Sequence, residues 1–126
     1  MNEIQSIITE RVDDIPLLLE QLQRMGLPAL SDDHFPTHGN WQGLSLGWVA
    51  TIWLSSILSR GDHRLVHVEP WVGNRLWTLR ATTGQGVERL DFTDDRREIV
   101  LRGLSEDTRW SACESALNQH TVRVYE

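Results

Sequence analysis

The sequence SLGWVATIWLSSILSR, residues 45–60, carries the strongest structural signal in this chain of 126 residues. Ser45 is a favourable N-cap and Gly61 a favourable helix end, so the pattern predicts one long helix between them. Its apolar face is broad, because positions 46, 49, 50, 53, 54, 57 and 58 all carry apolar side chains. A helix that is apolar over so much of its circumference is either central to the fold or covered by a partner. We interpret it as the core helix.

Start and stop signals on either side of the core helix predict further helices. Asp14 precedes an apolar stripe at helical spacing, Gly26 ends that stripe, and Pro28 falls in the first turn of a short second helix. Thr93 is a favourable N-cap for a later helix. The additional helices are expected over residues 14–25, from 27 onward, and over 68–81, 94–104 and 105–117.

The two ends of the chain carry a different pattern. Residues 4–12 and 121–125 are rich in β-branched side chains, which predicts two short strands, although nothing in the sequence fixes how they pair. We therefore expect a mainly α fold, a compact bundle of about five helices with short terminal β-strands. The length fits a single domain that covers residues 1–126.

Composition excludes several classes of protein. No apolar run approaches the ~20 residues that a membrane-spanning helix needs, and the N-terminus lacks the basic start and apolar stretch of a signal peptide. Cys113 is the only cysteine, so it cannot form an internal disulfide. A small buried residue on a helix is a better interpretation of it than a nucleophile. These features predict a cytoplasmic protein without a membrane partner.

All twelve basic residues are arginines, and they are unevenly distributed. Up to Ser59 there are two arginines against seven acidic residues, whereas from Arg60 to Trp110 there are nine of each. The net charge of −6 argues against strong free-standing nucleic-acid binding, because phosphate contacts usually appear as a basic surplus. Any DNA contact is therefore expected from a local arginine cluster.

One such cluster comprises Arg89, Arg96, Arg97 and Arg102 in the later helical part of the chain. Guanidinium groups bind phosphate bidentately, so these four residues are the candidate DNA-binding site. The alternative is a solvated helix face on which the arginines pair with neighbouring carboxylates. The charge balance alone favours that alternative.

Two histidine pairs at four-residue spacing raise the question of a metal site, His34 with His38 and His63 with His67. Pro36 disfavours a helix across the first pair, and the second pair lacks cysteine or carboxylate partners in a known ligand pattern. We favour capping and loop hydrogen bonds, and we expect no metal and no cofactor. A small metal-binding protein that uses His63 and His67 is the weaker alternative.

Acidic pairs at residues 13–14, 32–33 and 94–95 raise the question of two-metal chemistry, which needs converging carboxylates. Two of these pairs lie where helices begin, and helix starts attract acidic residues for electrostatic reasons alone, so capping is the preferred interpretation. The sequence also lacks a Ser-His-Asp arrangement, a phosphate-binding glycine loop and a nucleotide fingerprint. No catalytic residue is therefore assigned.

The chain contains six tryptophans, which could serve base stacking or packing. Trp48, Trp53 and Trp110 fall on predicted helices, where packing is the simpler interpretation. Trp41 and Trp71 flank helices and are expected to be partly exposed.

Several sequence motifs are long and distinctive. They are ERVDDIPLL (10–18), LP (27–28), HFPTHGNWQGLSLG (34–47), IWL (52–54), GDHRL (61–65), HVEPWV (67–72) and LDFTDDR (90–96), followed by residues 109–125. These motifs resemble the N-terminal region of bacterial insertion-sequence transposases of the DDE type, a region described in that family only as a domain of unknown function. The resemblance covers nearly the whole chain.

The resemblance also implies an absence. In such transposases the strand-transfer chemistry belongs to a following RNase H-like domain, in which three separated carboxylates hold divalent metal. The first of these carboxylates would come shortly after a segment like residues 122–125, whereas this sequence ends at Glu126. None of its acidic residues matches a catalytic position, so the chain is expected not to be an enzyme by itself.

The function that the resemblance implies is that of a non-catalytic N-terminal domain, or a fragment, of a transposase. Its expected roles are to bind element-end DNA, to join subunits as a homodimer or with a full-length transposase, or both. A stand-alone helical dimerisation protein and an inactive remnant are the alternatives that the sequence leaves open.

Overall fold

The computed structural model describes residues 14–35, 41–60 and 68–125, and the regular elements in these three ranges are all helical. A 3₁₀-helix at Arg89–Phe92 precedes the sixth of seven α-helices. The α-helices are α1 (Ile15–Arg24), α2 (Leu27–His34), α3 (Leu46–Arg60), α4 (Val68–Gly73), α5 (Leu76–Thr83), α6 (Asp94–Leu104) and α7 (Asp107–Tyr125). The mainly α class is confirmed, with seven α-helices in the described ranges instead of about five.

The core helix predicted from the sequence is α3. Its start is capped as expected, since the Ser45 hydroxyl accepts a hydrogen bond from the backbone N–H of Trp48 at 3.3 Å. Val49, Thr51 and Ser55 are all fully buried, so neighbours cover the helix on more than one side. The two buried hydroxyls donate to carbonyl groups in the preceding turn of α3 at 2.6 Å, which satisfies them inside the core.

Helices α1 and α2 both pack against α3. Gly26 separates them in the left-handed conformation with φ 82°, as its predicted role at a helix end requires. From α2, the Asp32 carboxylate accepts hydrogen bonds from the Ser45 hydroxyl at 2.8 Å and from the Gly47 N–H at 2.7 Å. Asp32, one acid of the pair at 32–33, therefore caps the start of α3. It does not cap α2, the helix to which it belongs.

The single helix expected over residues 68–81 is two helices, α4 and α5, joined by a tight turn. Gly73 and Asn74 are poor helix formers, and the Arg75 N–H bonds to the Val72 carbonyl at 2.9 Å, an i→i−3 contact that closes α4. The apolar pattern continues across the turn, which is why periodicity alone did not reveal it.

The predicted strand at residues 121–125 is wrong, because α7 continues to Tyr125. Neither glycine nor proline occurs after Gly103 to end this helix, and a β-branched residue costs less than about 1 kcal/mol in a helix. The Nε2 of His120 also lies 3.1 Å from the Arg24 carbonyl oxygen, which ties this part of α7 to the end of α1. The strand predicted at 4–12 lies outside the described residues.

The second half of the chain completes the core. Leu79, Val87, Phe92 and Val100 are fully buried, so α5, the 3₁₀-helix and α6 each contribute to it. Helix α6 has the predicted bounds, with Thr93 in the N-cap position, although the Thr93 side chain makes no capping hydrogen bond. Among the described residues, no helix has both the length and the apolarity needed to cross a bilayer.

Candidate protein-interaction groove

An open apolar groove of about 250 Å³ lies between α2, α3, α6 and α7. Trp53, Leu54 and Ile57 of α3 line it, together with Leu104 of α6. Ser31 of α2 is the one hydroxyl-bearing side chain that lines it among the described residues. The groove therefore offers apolar contact and almost no hydrogen bonding.

The groove arises because the apolar face of α3 is broader than its neighbours can cover. In the first half of the helix, Val49 and Ile52 are fully buried. In the second half, Leu54 and Ile57 remain partly accessible, and Leu58 is 54 % exposed. Ser55 and Ser56 in the same half of the helix are buried, so α3 is central to the fold as predicted, and the accessible residues follow one face of it.

Two large side chains mark the edge of the groove. Leu101 of α6 is 44 % exposed and Trp110 of α7 is 48 % exposed. The Trp110 ring packs against Phe35 with a centroid distance of 6.3 Å and a tilt of 38°, so one part of the indole is anchored and the rest faces solvent. Exposed large apolar groups beside an apolar concavity are typical of a surface that binds another protein.

Four of the charged residues beside this edge form ion pairs within their own segments. Arg102 contacts Glu98 at 3.2 Å, and Arg109 contacts Glu106 at 3.0 Å. Each pair is exposed to water and therefore contributes little to stability. The exposed acids Asp107 and Glu114 also flank Trp110 on α7, so the charge beside the edge is negative on balance.

The four arginines of the predicted DNA-binding site lie in three kinds of environment. Arg89 and Arg102 are 59 % and 74 % exposed in their side chains, and each forms an ion pair, with Glu69 at 3.1 Å and with Glu98 at 3.2 Å. Both guanidinium groups are exposed enough to contact a DNA phosphate. The phosphate would compete with the carboxylate partner of each arginine. These two residues therefore fit the alternative considered from the sequence, a solvated helix face on which arginines pair with carboxylates.

Arg96 and Arg97 are less exposed than Arg89 and Arg102, and each makes different contacts. The Arg96 guanidinium lies 4.4 Å from the centroid of the Trp41 ring and also donates to the Gln42 carbonyl, so it holds the loop before α3. Arg97 is only 2 % exposed and belongs to the core. A phosphate could reach Arg97 only after the core had rearranged, and Arg96 is already engaged with Trp41, so Arg89 and Arg102 are the two most accessible of the four predicted residues.

The carboxylate of Asp91 joins the loop before α3 to the segment before α6. It is 5 % exposed and accepts hydrogen bonds from the backbone N–H of Leu44 at 3.2 Å and of Glu88 at 2.9 Å. The Arg96 guanidinium lies 3.8 Å away on the same side. This buried acid connects segments that are far apart in the sequence and thereby fixes α6, one wall of the groove, relative to α3.

No protein-family model, no curated protein and no solved structure matches this chain.

The candidate metal ligands are only partly described. His34 uses its Nδ1 in a contact of 2.9 Å with the Leu30 carbonyl, whereas His38, His63 and His67 lie outside the described residues. Among residues 14–35, 41–60 and 68–125, no group of three or more His, Cys, Asp or Glu side chains is placed to hold a metal ion.

Cys113 is buried on α7, as predicted, with 3 % of its surface exposed. Burial raises the pKa of the Cys113 thiol, and a hydrogen bond with Ser31 opposes that effect. Its burial and the raised pKa both fit the predicted packing role, because the thiolate is the reactive form.

Sequence reasoning misjudged one of the tryptophans. Trp53 is buried at 7 % exposure and Trp41 is partly exposed, as expected. Trp71 is only 3 % exposed, although partial exposure was predicted. Trp110 packs against Phe35 as predicted, but half of its surface remains exposed. Helical position alone cannot say which face of α7 meets the core, so the groove edge could not be found from the sequence.

Proposed function

We propose that this chain is a non-catalytic helical domain of the DDE-type insertion-sequence transposase class, and that it joins subunits. The class comes from the resemblance of its sequence motifs, which extend over nearly the whole chain. The subunit-joining role is supported chiefly by the open apolar groove with Leu101 and Trp110 at its edge. Apolar surface of this kind loses water when a second protein covers it, and that loss drives association.

Subunit joining is favoured over DNA binding because of where the charges lie. The two exposed arginines of the predicted site, Arg89 and Arg102, are ion-paired, and a net charge of −6 opposes the approach of DNA. The groove does not depend on such charge contacts, since its lining is apolar and the burial of apolar surface drives association.

The test of subunit joining is the molar mass in solution, measured by light scattering after size-exclusion chromatography. We expect a dimer at micromolar concentration. The variant Leu101→Asp places a charge at the groove edge and should weaken dimerisation at least about tenfold. Leu90→Asp is the matched control, since Leu90 is a more exposed leucine, at 72 %, outside the groove. A wild-type chain that is strictly monomeric, or equal weakening by both variants, would contradict the proposal.

Element-end DNA binding is the second candidate function, and the exposure of Arg89 and Arg102 favours it. Replacing both with alanine should weaken binding to a labelled DNA duplex whatever its sequence, because phosphate contacts carry no base information. Each lost contact should also reduce the slope of log affinity against log salt by about 0.9.

Fluorescence anisotropy over a salt series measures both quantities. The control is Arg24→Ala with Arg109→Ala, which removes the same charge from other exposed positions. Wild-type binding that is insensitive to salt, or that falls equally in the control, would exclude the Arg89 and Arg102 site.

A further inference from the structure

We propose that α7 detaches from α2 as one unit while α1–α6 remain folded. Its release takes Trp110 away from the groove and uncovers Ser31 of α2, another residue of the groove lining. The position of α7 therefore sets how much of this apolar surface is accessible. This inference goes beyond the proposed function, because it concerns the chain by itself and does not depend on a partner.

Helix α7 contributes little to the hydrophobic core. Of residues 107–122, only Cys113 is buried, and it is the one residue of α7 in the core cluster that the described residues form. Leu117 is partly accessible, and Trp110 and Val122 are exposed. Because apolar burial is the main force that holds a helix in place, α7 is held much more weakly than α3.

The contacts of α7 with the rest of the fold follow one narrow stripe. Its buried and partly buried positions recur every three to four residues, at 113, 116, 117, 120 and 121. On this stripe, the Nε2 of His120 lies 3.1 Å from the Arg24 carbonyl oxygen, and the Cys113 sulfur lies 3.9 Å from the Leu30 carbonyl oxygen. The first is a single hydrogen bond and the second a long sulfur contact, so neither resists release strongly.

The connection between α6 and α7 allows such a movement. Helix α6 ends at Leu104 and α7 begins at Asp107, so two residues join them. Ser105 and Glu106 are both exposed, and their backbone dihedral angles can therefore change without disturbing the core. Helix α7 packs chiefly on α2 and α6, whereas α1, α3, α4 and α5 pack on one another and keep those contacts when α7 leaves.

Alkylation of Cys113, the only cysteine, measures the release directly. A buried thiol reacts only when the structure opens, so a slow reagent such as iodoacetamide reports the population of the open form. The comparison is Val49→Cys in a Cys113→Ser background, because Val49 is fully buried on α3. At submicromolar protein, Cys113 should react at least about a hundredfold faster than this core thiol. Urea unfolding of both chains corrects for any difference in their overall stability.

A substitution in the part that stays folded separates release from global unfolding. Val87 is fully buried between α5 and the 3₁₀-helix, so Val87→Ala destabilises the whole fold without touching α7. It should speed the alkylation of Val49→Cys at least about tenfold and leave the rate at Cys113 unchanged. Urea should also speed the reaction of Cys113, with a smaller slope than global unfolding has, because release exposes less surface.

Three results would overturn the release of α7. Equal rates at Cys113 and Val49→Cys, or equal acceleration of both by Val87→Ala, would mean that α7 leaves only when the whole chain unfolds. A rate at Cys113 that does not respond to urea would mean that the reagent reaches the thiol while α7 stays in place. None of these results bears on the molar mass of the wild-type chain, so failure here is distinguishable from failure of subunit joining.

Discussion

Replacing Gly47 with alanine is expected to lower the free energy of unfolding by about 3 kcal/mol or to prevent folding altogether. A Cβ on Gly47 would lie 2.1 Å from the carbonyl oxygen of Pro28 and 2.9 Å from the carboxylate carbon of Asp32. The first of these atoms belongs to the backbone of α2, so no change of rotamer relieves the clash. Helices α2 and α3 would have to separate.

Their separation would also break the cap of α3. The Gly47 N–H donates to the Asp32 carboxylate at 2.7 Å, and the Ser45 hydroxyl donates to the other carboxylate oxygen at 2.8 Å. The alanine variant therefore loses packing and capping together, and loss of a cap alone costs about 1 kcal/mol.

Urea denaturation followed by circular dichroism measures the effect. Gly86→Ala is the matched control, because nothing lies within 4 Å of the added Cβ and the backbone there does not have positive φ. We expect that variant to be unchanged or more stable by about 0.5 kcal/mol, since alanine restricts the unfolded chain. Equal stability of Gly47→Ala and the wild type would show that α2 and α3 do not approach as described.

Replacing Asp91 with alanine should destabilise the protein by about 3 kcal/mol. The buried carboxylate satisfies the backbone N–H groups of Leu44 and Glu88, and each buried donor left without a partner costs about 1–3 kcal/mol. The nearby Arg96 guanidinium, 3.8 Å away, would also lose its balancing charge. Because Asp91 joins the loop before α3 to the segment before α6, the loss should extend to the groove.

The measurement is again denaturant unfolding, with Glu98→Ala as the control. Glu98 is an exposed partner in an ion pair with Arg102, so its removal should change the stability by no more than about 0.5 kcal/mol. Asp91→Asn should lie between the two, since an amide oxygen can accept one of the two hydrogen bonds. If Asp91→Ala and Glu98→Ala were equally stable, the buried junction would have no structural role.

Local signals in the sequence predicted much of the fold. Ser45 and Gly26 act at helix ends as expected, and the bounds of α6 agree with the prediction. These features depend on short-range chemistry, such as a capping hydroxyl or a left-handed glycine, which the residue type reveals directly.

Features that depend on tertiary contacts could not be predicted in the same way. The β-branched residues at 121–125 are helical because they continue α7, which packs on α2 and α6. The turn between α4 and α5 interrupts a pattern that remains apolar on both sides. Asp32 caps a helix other than its own, and no local rule identifies such a partner.

The arginine cluster illustrates the same limit for the candidate site. Arg96 and Arg97 are adjacent in the sequence, yet one packs on Trp41 and the other is buried in the core. Sequence proximity suggested one basic surface, but the 100° rotation per residue of an α-helix sends neighbours in different directions. The groove was equally hidden, because its walls come from four helices.

Sedimentation equilibrium of the wild-type chain over a range of micromolar concentrations tests subunit joining itself. A two-fold self-association should give a mass that rises reversibly from that of the 14.5 kDa monomer to twice that value and then stops, because an isologous contact closes after two copies. A mass that stays at 14.5 kDa throughout would contradict the account, and so would one that continues to rise beyond the dimer.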